Sequence, residues 1–163
     1  MDIPFSEILT RMMRYNAGDP KRIQHALKVY AYASLIGERE GLDSRTLGIL
    51  KTAAALHDIG IRNSEKRHGS AAGNWQEVEG PPVARELLAP FRLPADFVER
   101  VCFLIGHHHT YGKIGGPDYR ILVEADLLVN FYEDGLPAAA AKETGRKIFR
   151  TETGRECLAL LYP

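Results

Sequence analysis

Cysteine is scarce in this 163-residue chain. Its two cysteines, Cys102 and Cys157, lie far apart and outside any C-x-x-C spacing. Thiolate zinc sites need closely spaced cysteine pairs, and disulfide frameworks need several cysteines. The sequence therefore excludes a thiolate zinc site, and we expect both thiols to be reduced.

The chain also has no excess of either charge. Lys and Arg together number 21, and so do Asp and Glu. An extended nucleic-acid surface needs a positive field that this composition does not provide. We therefore expect no extended nucleic-acid surface, and we expect any anionic ligand to be recognised locally.

Long apolar runs are missing as well, so the sequence predicts no membrane partner. Asp2 and Glu7 stand near the N-terminus, where a signal peptide would carry basic residues. These features predict a cytoplasmic protein. The oligomeric state stays open, a dimer being one alternative.

Several common catalytic motifs are absent too. The sequence contains no G-x-S-x-G elbow, no Walker loop and no dinucleotide-binding glycine pattern. Histidine and carboxylate side chains remain as the groups that can carry chemistry.

The apolar pattern predicts an all-α protein. A chain of this length with 45% apolar residues suits one domain, residues 1–163, with a core over about 20–131 and a C-terminal helical segment over 137–163. Capping residues and apolar periodicity predict five core helices, with extra helices in the C-terminal segment. The five cover about residues 20–40, 43–58, 81–89, 94–108 and 117–133.

One segment reads differently from the rest. Between Arg62 and Glu79 the sequence is polar and contains two glycines, which predicts a long loop. Pro81 and Pro82 then predict the start of a short helix, because proline is favoured in a first helical turn.

Asp126 is the most informative single residue. It stands in the middle of an apolar segment from Tyr119 to Phe131, whose length favours a buried helix over a strand. A carboxylate stripped of water costs several kcal/mol unless a cation or hydrogen-bond donors meet it. The sequence therefore predicts a partner close to Asp126.

Two histidines are candidates for that partner. His25 and His57 each lie on the apolar stripe of a predicted helix, and Asp58 follows His57 directly. Taken alone, a buried histidine is usually a hydrogen-bonded core residue, and a buried aspartate can cap a helix. Two imidazoles and two carboxylates converging on a core, however, suit a divalent ion such as Mn, Fe, Co, Ni, Zn or Mg.

The order of these residues resembles the H…HD…D signature of the HD-domain superfamily of metal-dependent phosphohydrolases. The resemblance rests on His25, on the run Ala55-Leu56-His57-Asp58-Ile59-Gly60 and on Glu124-Ala125-Asp126. It implies an all-α bundle of about five core helices. It also implies that His25, His57, Asp58 and Asp126 hold the metal.

Some HD relatives hold a second metal with further histidines in the interval between the His-Asp pair and the last Asp. That interval contains three consecutive histidines, of which periodicity favours His108, with His107 able to swing inward and His109 assigned to the following loop. Glu79 at a predicted helix start is a further candidate ligand, and the role of His68 stays open. One or two ions are therefore expected.

The implied activity is hydrolysis of a nucleotide or other small phosphate ester by metal-activated water. Asp58 would orient that water, and Arg22, one turn from His25, would hold a phosphate oxygen. Lys66 and Arg67 are further candidate phosphate contacts.

Three alternatives stay open. One is a di-iron oxygenase of HD type, and another is a regulatory metal-binding module without hydrolase activity. The third, a cyclic-dinucleotide phosphodiesterase, is disfavoured because Gly115-Gly116-Pro117 does not match its Gly-Tyr-Pro motif.

Overall fold

The computed structural model describes residues Met1–Pro163, and it confirms the all-α prediction. The chain forms nine α-helices and one short 3₁₀ turn, Ala89–Phe91, with no strand. The helices are α1 Phe5–Tyr15, α2 Pro20–Arg39, α3 Ser44–Leu56, α4 Ile61–His68, α5 Gly73–Leu88, α6 Ala95–Ile105, α7 Pro117–Glu133, α8 Ala138–Ile148 and α9 Glu152–Leu161.

Side-chain caps fix the starts of the two helices that bring the first histidines inward. Asp19 accepts a hydrogen bond from the backbone N–H of Arg22, and Pro20 occupies the first turn of α2. Asp43 caps α3 in the same way, through the backbone N–H groups of Arg45 and Thr46. Such caps satisfy donors that the first turn leaves unpaired, and each typically stabilises a helix by about 1 kcal/mol.

Helix α2 occupies the centre of the fold. It packs mainly against α3 and α7, and α3 also packs against α6. These contacts belong to one continuous apolar core of 34 buried residues that extends from α1 to α9. The centre of the molecule is thus the place where α2, the end of α3 and the middle of α7 meet.

Helix α7 is buried almost all round, as its apolar sequence predicted. Twelve of its 17 residues are buried, including the acidic side chains of Asp118, Glu124 and Asp126. Asp118 is paired with Arg100, at 2.7 Å. Glu124 accepts hydrogen bonds from the backbone N–H groups of Arg150 and Thr151, just before α9. Asp126 alone among these three faces the histidines.

The predicted loop over residues 62–79 is wrong. Residues Ile61–His68 form α4, and α5 already begins at Gly73, so that Pro81 and Pro82 lie inside a helix and do not begin one. The pattern misled because the buried stripe of α5 starts with polar groups, Gln76 and Glu79, before it continues with Val83. Their partners, described below, are supplied by the tertiary fold, which residue order does not reveal.

Two glycines let α5 approach the end of α3. A Cβ atom added at Gly60 would stand 2.5 Å from the backbone nitrogen of Gly80, and one at Gly80 would meet Ile105 at 2.6 Å. No side chain fits at either contact. The turn that carries His57 and Asp58 is therefore held directly against the backbone of α5.

The C-terminal helices α8 and α9 pack on each other, and α9 also packs on α7 and α2. None of the helices in the fold combines the length and the apolarity that crossing a bilayer requires.

Candidate metal centre

His25 lies in the second turn of α2 with only 9% of its side chain exposed. Its Nδ1 is 2.6 Å from Oε1 of Glu133, at the end of α7. An ionised carboxylate can only accept a hydrogen bond, so Nδ1 of His25 carries the proton and donates it. The other nitrogen, Nε2, points into the molecule.

His57 follows the last residue of α3 and is fully buried. Its Nδ1 is 2.8 Å from the carbonyl oxygen of Ala54, which also can only accept. Nδ1 therefore donates, and Nε2 faces Nε2 of His25 across 3.0 Å. Two imidazole lone pairs at that separation repel each other unless a proton or a metal ion stands between them.

Asp126 completes this first group. Its Oδ1 is 3.1 Å from Nε2 of His25 and 3.3 Å from Nε2 of His57. Burial alone would raise the pKa of Asp126, but hydrogen bonds to both imidazoles hold it well below its ordinary value. Once a cation displaces the Nε2 protons, the three side chains present two nitrogen lone pairs and an anionic oxygen to one point.

Asp58 faces the same point with one oxygen and a second group with the other. Oδ2 is 3.2 Å from Nε2 of His25, and Oδ1 is 3.4 Å from Nε2 of His108. Burial would raise its pKa, but the imidazoles of His57, His108 and His25 hold it well below the usual range. Asp58 therefore stays ionised and links the two groups.

His108 lies just beyond α6 and is fully buried. Its Nδ1 donates to the carbonyl oxygen of Ile105 at 2.7 Å. Its Nε2 is the one buried side-chain nitrogen or oxygen in the protein without a hydrogen-bond partner, and Oδ1 of Asp58 stands 3.4 Å away, beyond the usual hydrogen-bond range. Buried polar atoms are normally satisfied, so this orphan nitrogen fits a metal ligand.

His109 has the opposite tautomer from the other three histidines, because a neighbour holds its Nε2 proton. The amide group of Gln76 donates to the carbonyl oxygen of Ala71, which leaves Oε1 of Gln76 to accept from Nε2 of His109 at 2.9 Å. The lone pair of His109 is therefore on Nδ1. Burial, and next the charge of His108, lower the pKa of His109 to about 4, so the ring is neutral at physiological pH.

Two groups of possible ligands result. His25, His57 and Asp126 form one, and Asp58, His108 and His109 form the other, with ligand atoms within 4.8 Å of one another in each. All four residues of the H…HD…D pattern thus meet at one place. Nitrogen and carboxylate donors without thiolates fit a borderline or hard divalent cation.

Other residues proposed from sequence lie elsewhere. Glu79 is paired with Arg67 at 2.9 Å and with His68 at 3.1 Å, and it belongs to neither ligand group. His107 stacks on Phe103 at the surface, and its Nδ1 is hydrogen-bonded to the Phe103 carbonyl oxygen. His109, which the sequence assigned to a loop, takes the place that Glu79 and His107 were expected to fill.

A cavity of about 540 Å³ opens above the two groups. His25, Asp58, His109 and Asp126 lie in its wall. Arg22 lines it as well, whereas Lys66 and Arg67 do not.

A known protein family covers the segment that contains these candidate ligands. The sequence model of the family described as HD domain matches residues 22–150, most of the chain. The chain belongs to the HD-domain family. The search of curated proteins found no match.

A solved structure agrees with this assignment. The HD domain resembles the crystal structure of a predicted HD superfamily hydrolase from an uncultured Thermotogales bacterium, with a TM-score of 0.70 and 29% sequence identity. The likeness covers 96% of this chain and 84% of that one. The buried histidine and aspartate cluster of this HD domain thus fits a metal site both by its geometry and by its family.

Two hydrogen-bond partners of the histidines were not predicted from the sequence. Glu133 could have been found, because it lies seven residues after Asp126, two turns along the same face of α7. Gln76 could not, because its helix was read as a loop. Side chains of this kind fix the tautomer and orientation of metal-binding histidines.

We predict that metal-free protein loses stability as pH rises above neutrality. Burial would lower the pKa of His25, but Asp126 and Asp58 outweigh it and raise the pKa to about 11, against 6.5 ordinarily. Between these values the folded protein keeps a proton that the unfolded chain releases, so the free energy of unfolding falls with rising pH. Urea unfolding of chelator-treated protein at pH 6.5 and pH 9 measures this.

His25→Gln should remove most of that fall, because the variant has no imidazole at this position. Metal-loaded protein should show the opposite trend, since a cation competes with the proton for Nε2 and binds better as pH rises. Equal stability of the metal-free protein at both pH values would contradict the assignment.

We predict that Gln76→Leu selectively weakens binding of the ion held by Asp58, His108 and His109. Without the acceptor at Gln76, the proton of His109 is no longer held on Nε2, and loss of such a partner typically weakens metal binding by about 10- to 100-fold. Gln76→Glu keeps an acceptor for Nε2 and should bind nearly as the wild type does. Calorimetric titration with Zn²⁺ or Mn²⁺ should give two equivalents for wild type and Gln76→Glu, and one tight equivalent for Gln76→Leu. Equal titrations for all three proteins, or one equivalent in wild type, would refute this role.

Proposed function

We propose that the protein is a divalent-metal-dependent phosphohydrolase that acts on a nucleotide or another small phosphate ester. The observation that carries this proposal is Asp58, whose two oxygens face separate imidazole groups at the floor of a cavity. A carboxylate in that position can bridge two cations, an arrangement suited to in-line displacement at phosphorus. The residues would hold one ion through His25, His57, Asp58 and Asp126, and another through Asp58, His108 and His109.

When bound, Mn, Fe, Co, Ni, Zn or Mg supplies Lewis acidity to a phosphoryl oxygen and lowers the pKa of a water molecule. Asp58 accepts a hydrogen bond from the attacking water and turns the water's lone pair toward phosphorus. Since Asp58 is ionised and only partly exposed, it can do so at neutral pH.

The cations of the cavity wall act on the charge that spreads over the phosphoryl oxygens. Lys21 lines the cavity and forms no ion pair, so its ammonium is available to the substrate. Arg22 also lines the cavity, but it is held by Asp19 at 3.1 Å and by Glu65. Lys21 therefore replaces Lys66 and Arg67 as the proposed phosphate contact beside Arg22.

The similar solved structure supports hydrolysis. The chain is an HD domain, as all three candidate functions require, and that structure is described as a predicted HD superfamily hydrolase. A di-iron oxygenase would use the same kind of ligand set, and a regulatory module could hold the same ions without turnover. Measurements of turnover and of bound metal separate these three functions.

We predict that Asp126→Asn and Asp58→Asn each lower phosphatase activity by more than about a hundredfold, because each removes an anionic ligand or the water's acceptor. Asp96→Asn is the matched control, since Asp96 is an exposed aspartate paired with Arg45 outside the cavity. Chelated protein is restored with each metal and assayed against nucleotides and phosphate esters, while bound metal is measured in parallel.

Asp126→Asn should lose metal and activity together, with thermal unfolding showing that it still folds. No hydrolysis with any metal would refute the proposal. Iron with a visible absorption band in the oxidised protein would then indicate an oxygenase, and tightly bound metal without turnover would indicate a regulatory module.

A further inference from the structure

The cavity wall offers almost no apolar surface. Of its 14 lining residues only Ile61 and Ala71 are hydrophobic, and none is Phe, Tyr or Trp. Pockets that bind drug-sized or aromatic ligands are lined mostly by apolar and aromatic side chains. The wall thus provides no slot for a nucleobase.

Tyr111 does not change this conclusion. Tyr111 is 41% exposed, and its side chain is not part of the cavity wall. A base extending from a phosphate at the metal centre would therefore meet polar groups.

The charge of the wall limits the number of phosphates. Apart from the proposed ligands, four acidic side chains line the cavity, Asp19, Glu65, Glu133 and Asp134, against the two cations Lys21 and Arg22. Arg22 is already neutralised by Asp19 and Glu65. Extra phosphates need cations of their own, and only Lys21 is uncommitted.

The polar groups of the wall suit a sugar. Asn130 and Asp134 line the cavity and make no side-chain hydrogen bonds within the protein. An amide donates and accepts, and a carboxylate accepts, so together they match the hydroxyl groups of a small polyol. They lie on the last turn of α7 and just after it, a helix that also carries Asp126.

Resting on the proposed function, we propose that the substrate is a phosphomonoester with a small polar remainder, of the sugar-phosphate class, and that nucleoside triphosphates are rejected. One phosphate engages the metal centre and Lys21, while hydroxyl groups meet Asn130 and Asp134. Water cleaves the P–O bond, giving inorganic phosphate and the free alcohol, with the water's proton passing to the leaving oxygen. No redox partner is needed.

Three compounds test this in the Mn²⁺-loaded 163-residue protein, with free Mn²⁺ held constant. Ribose 5-phosphate and AMP differ by the base, and AMP and ATP differ by two phosphates. We expect kcat/KM for ribose 5-phosphate to be at least about equal to that for AMP, and kcat/KM for ATP to be at least about tenfold below AMP, mainly through KM. Because the rejection is electrostatic, raising NaCl should narrow the ratio of AMP to ATP.

A double variant tests the acids directly. Glu65→Gln with Asp134→Asn should raise kcat/KM for ATP relative to AMP by about three- to tenfold, since the cavity wall loses two negative charges and Arg22 keeps only Asp19 as an acidic partner. Glu99→Gln is the matched control, because Glu99 is exposed, pairs with Arg85 and lies outside this cavity. The control should leave the ratio unchanged.

The failures are distinguishable. ATP turned over as well as AMP, a tenfold advantage of AMP over ribose 5-phosphate, or an unchanged ratio in the double variant would overturn the inference while the phosphohydrolase function stands. Lack of hydrolysis of all three compounds and of p-nitrophenyl phosphate, with every metal, would overturn the proposed function and this inference with it.

Discussion

Three hydrogen bonds at the outer nitrogens of histidines determine the chemistry of this protein. In His25, His57 and His108 the Nδ1 atom donates to an oxygen that can only accept, from Glu133, Ala54 and Ile105. Each bond fixes the tautomer, so that three Nε2 lone pairs turn toward two ionised aspartates. Lone pairs and anions gathered in a buried space repel each other unless a cation joins them.

The helical fold serves this arrangement. Helix α2 provides His25, the end of α3 provides His57 and Asp58, and the middle of α7 provides Asp126, and these three helices pack on one another at the centre of the core. The apolar surroundings hold the ring orientations through dense packing. They also leave the carboxylates few other partners, which keeps them available to a metal.

Much of this could be predicted from residue order. An acid within an apolar helix, as at Asp126, signals a buried partner, and His57 with Asp58 at the end of an apolar stripe indicates where that partner comes from. The histidines after α6 were found as a run, and His109 lies in the loop to which it was assigned, but its place among the possible ligands was not expected. Its orientation depends on Gln76, more than 30 residues earlier.

The segment around Gln76 was misread for a physical reason. Hydrophobic periodicity detects a helix only where its buried face is apolar. In α5 that face begins with Gln76 and Glu79, whose burial is made possible by His109, Arg67 and His68. A helix whose inner face is stabilised by polar partners from other segments gives no such periodic signal. In α5, Pro81 and Pro82 therefore suggested a helix start several residues after the true one.

Anomalous X-ray diffraction from crystals of the protein grown with Mn²⁺ or Zn²⁺ tests the central claim most directly. The account predicts two peaks on either side of Asp58, one in contact with His25, His57 and Asp126, and the other with His108 and His109. A peak at Glu79 and His68 instead, or Asp58 without any metal neighbour, would contradict it.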